Sequence, residues 1–96
     1  MASISSDILA SYAADASLEV YGVRDLVESA LHRHRGVRVI EENGAVRVEL
    51  HVALEWGASA PEVGREIQRR VAGYLARMAS VAPESVDVVV QDVGRP

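Results

Sequence analysis

Lysine is absent from this 96-residue chain, and all ten basic residues are arginine. Cysteine and phenylalanine are absent too, and one Trp and three Tyr are the only aromatic residues. Without cysteine there is no disulfide framework, no thiolate metal site and no cysteine nucleophile. No apolar run approaches the ~20 residues of a membrane-spanning helix, so direct membrane insertion is not expected. The first residues carry neither a charged n-region nor an apolar h-region, which makes the chain an expected cytoplasmic protein. The length fits one domain over residues 1–96. A net charge of -4 argues against a generic nucleic-acid binder.

The missing lysine has two readings. A GC-rich genome favours Arg, Ala, Val and Gly codons, which suits the single Asn and the few Ile. Selection for guanidinium, which grips carboxylate or phosphate in a two-pronged fork, is the sharper reading. Apolar residues make up 49% of the chain, enough for a core, but they are mostly Ala and Val. A core of small side chains in so short a chain is modestly stable.

Ser5 or Ser6 can cap a helix running to about Leu18. Ile8, Leu9, Tyr12, Ala13, Ala16 and Val20 fall on one arc of it. Val23, Leu26, Val27, Ala30 and Leu31 repeat the same spacing and predict a second helix over 23–35, closed by Gly36. A short strand at Gly22–Leu26 is the alternative. Val37 to Glu42 alternates, Asn43-Gly44 follows, and Ala45 to Trp56 alternates again. Asn-Gly between alternating runs predicts a two-residue hairpin turn. That turn pairs Glu42 with Ala45, Val39 with Val48, Val37 with Leu50 and Arg38 with Glu49. Such cross-strand pairs contribute roughly 0.2–1 kcal/mol each. Ser59, Pro61 and Glu62 start another helix. Val63, Ile67, Val71, Tyr74, Leu75 and Met78 line its apolar arc to near Ser80, and Glu66 and Arg70 form an i, i+4 pair. Val86 to Val90 predicts a strand covered on both faces. The expected architecture is therefore α+β, a small two-layer sandwich in the order α-α-β-β-α-β. Its helices pack on one face of a three-stranded sheet.

Motifs for catalysis are missing. No G-x-S-x-G or phosphate loop occurs, and the serines sit where helix capping explains them. His32, His34 and His51 are the only histidines. Residues two apart on a helix diverge, so His32 and His34 make a poor metal pair. No catalytic, cofactor or metal site is assigned. An Arg-rich run over 33–38 and the pair Arg69-Arg70 form a basic feature. An anionic surface or nucleic acid would engage it through Arg33, Arg35, Arg38 and Arg70. However, the chain has no G-x-x-G loop and no aromatic pair on a strand.

The ordered pattern resembles the alkaline shock protein family, the Gls-type envelope stress response proteins of bacteria. The resemblance rests on several short stretches. The first are Gly36-Val37-Arg38-Val39, then Val46 to Val52, then Trp56-Gly57. Glu62-Val63, Ile67-Gln68, Val71 and Met78 follow, and Val86 to Val90 and Asp92-Val93 close the set. Ile8, Ala13-Ala14, Val20 and Gly22-Val23 match the family's opening helix and its Gly-Val exit. Trp56 stands where the family usually has Tyr. The resemblance implies a cytoplasmic, non-enzymatic protein linked to envelope stress. It would self-associate or dock on a membrane-anchored relative. A contact surface would draw on Trp56, Arg65, Arg69 and Arg38, because interfaces favour Trp and Arg. As the end of an apolar strand face, Trp56 also reads as core.

Overall fold

In a computed structural model the chain is described over residues 5–29 and 35–95. The elements are α1 (Ser6–Leu18), β1 (Val23–Leu26), β2 (Val37–Glu42), β3 (Ala45–Leu54), α2 (Ala60–Ala79) and β4 (Ser85–Val93). The α+β class holds, but the expected second helix is replaced at its start by β1. Residues 30–34 lie outside the described residues. Val-Arg-Asp-Leu is short enough to satisfy both periods, and pairing with β3 decides it: Val23 lies opposite Leu54 and Leu26 opposite Val52. Among the described residues the sheet has four strands, not the expected three.

β3 is the centre. The hairpin forms as the Asn-Gly signal dictates, with Asn43 at φ 51° and Gly44 at φ 79°. Its register runs Glu42↔Ala45, Val39↔Val48, Arg38↔Glu49 and Val37↔Leu50, as the alternation requires. His51 shows how β1 and β2 share one edge of β3. Its N–H donates to the Gly36 carbonyl at 3.0 Å, and its carbonyl accepts from Val27 at 2.8 Å. A residue's N–H and C=O point to the same side of a strand, so β1 and β2 lie end to end along that edge. β4 takes the other edge in parallel, from Arg47↔Ser85 to Leu54↔Val93. Parallel neighbours need a long crossover, and α2 supplies it.

The sheet has one covered face. Val48, Leu50, Val52 and Leu54 of β3 point to it and are fully buried. Val37, Ile67, Val71, Leu75 and Leu9 belong to the same core. Ser5 caps α1, accepting from Ile8 N–H at 3.2 Å, and Ser59 caps α2. Ala10, Ala13, Ala14 and Ala16 of α1 are buried, while Ile8 is exposed. The buried stripe is thus rotated from the expected arc, because α1 packs against both α2 and the sheet. Its alanines allow that close double contact. On α2 the arc Val63, Ile67, Val71 and Leu75 is buried, and Met78 is exposed.

β4 departs from expectation. It is an edge strand with one covered face. Val86 packs inward, while Asp87 and Val89 face solvent. A valine run reads the same whether one face or both are covered, so composition cannot count its covered faces.

Leu50 touches the core at its centre. Leu50→Ala is expected to destabilise the chain by about 2–5 kcal/mol, read by urea unfolding followed by circular dichroism.

Candidate interaction surface

Two turns meet at one end of the sheet. Val23 N–H donates to the Val20 carbonyl at 3.2 Å, closing a turn with Tyr21 and Gly22 at its centre. Ala58 N–H donates to the Glu55 carbonyl at 3.1 Å, closing a turn around Trp56 and Gly57. Each carries an aromatic residue followed by glycine. Gly22 has φ 97° and Gly57 φ 82°, which favours glycine at the third turn position. A Cβ on Gly22 would also come within 2.9 Å of Val63. The Glu55 N–H donates to the Gly22 carbonyl at 2.8 Å and ties the turns together.

This geometry puts both rings outside. By strand alternation Trp56 would follow Leu54 into the core, but β3 ends at Leu54 and the chain turns. Trp56 is 62% exposed and Tyr21 98% exposed. They line one shallow cavity of about 350 Å³ with Gly22, Glu55, Gly57 and Ala58. Glu62 and Val63 border the adjoining hollow. Larger exposed apolar patches rimmed by polar groups mark surfaces that bind proteins, membranes or ligands. Sequence reasoning does not single out Tyr21. The Tyr21-Gly22 dipeptide, matching Trp56-Gly57, is the signal available for it. The other two tyrosines are partly buried: Tyr12 and Tyr74 meet edge to face at 5.7 Å between centroids.

The expected arginines do not gather here. Arg38 lies on the open face of the sheet, opposite Glu49. Arg65 stands on the solvent side of α2. Arg69 lies a turn further on and grips Glu66 with Nε and Nη2, the Nε bond measuring 3.1 Å. Arg70 Nε reaches the same carboxylate at 2.9 Å. Together they hold the Glu66 carboxyl down to about 2, Arg69 most strongly. Arg35 pairs with Asp15 at 2.8 Å and Arg24 with Asp92 at 2.8 Å. The Arg24 pairing also holds the Asp92 carboxyl below its usual range. Most of the basic run expected to meet an anionic partner is thus either neutralised in place or, like Arg33, outside the described residues.

His51 lies on the open sheet face, 3.3 Å from Glu49 and 2.6 Å from Gln91. Among the described residues no three His, Asp or Glu converge as metal ligands. His32 and His34 lie outside those residues. Ser17 is buried and donates to the Ala13 carbonyl at 2.8 Å, and Ser5 and Ser59 serve as caps.

A family model described as ASP23 family, cell envelope-related function, matches residues 1–95. The chain belongs to the alkaline shock protein family. The uncharacterized protein YloU of Bacillus subtilis (strain 168) is 24% identical over 102 residues, covering 94% of this chain and 85% of that one. The fold is similar to that of solved MamM CTD structures. One variant is 14% identical with a TM-score of 0.59, covering 90% of this chain and 95% of its own. A nickel form gives 14% and 0.59, covering 90% and 96%. At that identity the likeness concerns fold alone. Trp56-Gly57 and Gly22-Val23, two of the stretches on which the resemblance rests, lie in the two turns of the exposed corner. Among the described residues no helix is long and apolar enough to cross a membrane.

The ion cluster on α2 has a pH signature. Glu66 has a depressed pKa in the fold, so its contribution is complete above about 4.5 and lost as pH falls through about 2. Being exposed, it contributes modestly. Glu66→Gln is expected to be slightly less stable at neutral pH and to show a shallower acid limb across that window. Urea midpoints measured against pH check this, and parallel curves would contradict it.

Proposed function

We propose that this chain is a cytoplasmic, non-enzymatic interaction module of the bacterial envelope stress response. It self-associates or docks on a membrane-anchored relative. The observation that carries the reading is the corner formed by Tyr21 and Trp56. Burying a large ring at a protein interface is favourable, and leaving it in water is not. A small domain short of large core residues would otherwise gain by placing its sole Trp inside. Carboxylates at Glu55 and Glu62 edge the corner, which suits a partner presenting apolar and basic side chains. Arg65 and Arg69 lie further along α2, and Arg38 on the open face of the sheet. The membership in a family of envelope-related function supports the same reading.

The test is fractionation of bacteria carrying the full chain or Tyr21→Ser/Trp56→Ser. The chain is expected to sediment with membranes, and the double variant to remain in the supernatant at least about tenfold more. Both substitutions are at the surface, so unfolding free energy should shift by only about 0.5 kcal/mol for each. Equal partitioning of the two forms, with the fold intact, would contradict the reading.

A further inference from the structure

We propose that β4 is the self-association edge, joining a second copy of this chain strand to strand in antiparallel fashion. The proposal rests on the interaction-module reading and gives its self-associating part a surface.

The ladder supplies the first support. Glu84 N–H donates to Val46 O and Gly94 N–H to Leu54 O, so the even residues of β3 face β4. His51 faces the opposite way, toward β1 and β2. In a parallel ladder a residue bonds the two neighbours of its register partner. Val48, Leu50 and Val52 therefore engage Ser85, Asp87, Val89 and Gln91. The N–H and C=O groups of Val86, Val88 and Val90 are left pointing outward. Gln68 Nε2 donates to the Val86 carbonyl at 2.9 Å and guards one end of this backbone edge. The register shift opposite Val52/Ala53 bends the other end. Guards thus stand at both ends, and among the described residues no strand pairs with the middle.

Edges are commonly defended by lysine, proline or inward charges. β4 has none of these in its nine residues, Ser-Val-Asp-Val-Val-Val-Gln-Asp-Val. Val89, at its midpoint, is 40% exposed, and Val93 at its end is 43% exposed. The opposite edge is a worse template. β1 carries Arg24 and Asp25 in four residues, β2 carries Arg38, Glu41 and Glu42 in six, and the two are interrupted between Leu26 and Val37.

Charge selects both partner and register. An antiparallel pair about a two-fold axis through Val89 uses the open middle of the strand, on the near side of the register shift. It sets Val88 opposite Val90 of the second copy and Asp87 opposite Gln91, where an amide can donate to a carboxylate. Centring on Asp87 would oppose two carboxylates. The sequence of β4 is thus complementary to itself in one register, as a closed two-fold interface requires. The product is a continuous eight-stranded sheet with helices on one face.

The absence of cysteine makes a clean test of the full chain. Val89→Cys places one thiol on the axis, in a pair whose Cβ atoms lie within about 4.5–5.5 Å. Mild oxidation is expected to yield a disulfide-linked dimer, and Arg38→Cys, on the other edge, to yield at least about tenfold less. Val88→Pro removes an N–H that bonds nothing within the β3–β4 ladder, so the fold should survive. Sedimentation should then show association weakened about tenfold or more. Equal cross-linking by the two cysteine variants overturns the proposal, whether or not Val88→Pro folds. A strictly monomeric wild-type chain overturns it as well. Either result leaves the docking corner standing if Tyr21→Ser/Trp56→Ser still loses its membranes.

Discussion

The pairing of β3 on both of its edges is the constraint on which the rest of the structure depends. One ten-residue strand holds β2 and β1 on one side and β4 on the other. Its alternation then decides which side chains meet. Val48, Leu50, Val52 and Leu54 must all face one way, and α1 and α2 cover that face alone. A slip of one residue would turn Arg47, Glu49 and His51 into the core. The Asn43-Gly44 turn prevents that slip on one edge, and the α2 crossover fixes the other.

The exposed aromatic corner follows from where this strand stops. Continued by two residues, the alternation would have buried Trp56. The turn at Glu55–Ala58 ends it, and the Glu55–Gly22 bond draws the Tyr21 turn alongside. The chain thereby forgoes a large core residue it has few of. Its core is instead closed by alanines that let α1 approach both α2 and the sheet. Small residues fill the inside, and the large rings of Tyr21 and Trp56 stay outside. The arginines are consistent with it. Arg24, Arg35, Arg69 and Arg70 are each held by a carboxylate at the surface. That pattern suits codon preference better than a dedicated anion site.

Much of this fold is legible in the amino-acid sequence. The hairpin and its register follow from alternation plus one turn dipeptide, because both constraints act within a dozen residues. The caps at Ser5 and Ser59 and the buried arc of α2 are equally local. Other features are not. Val23–Leu26 carries a helical spacing, and only the distant Val52 and Leu54 make it a strand. The valines of β4 do not record that it lies at an edge, in parallel, with one face open. Trp56 reads as a contact residue by its type, yet its position in the alternation reads equally as core. Tyr21 escapes sequence reasoning, although its glycine neighbour gives the same hint as Gly57. In each case the deciding partner is far away in sequence.

The dependence on β3 is open to direct measurement by native-state amide hydrogen exchange. The amides of Val48, Leu50 and Val52 should exchange only through global unfolding, with opening free energies equal to the unfolding free energy and falling in parallel with denaturant. The amides of β1 should open more readily. Exchange of Val48, Leu50 and Val52 by local opening, at free energies no higher than those of β1, would contradict the claim that this strand holds the fold together.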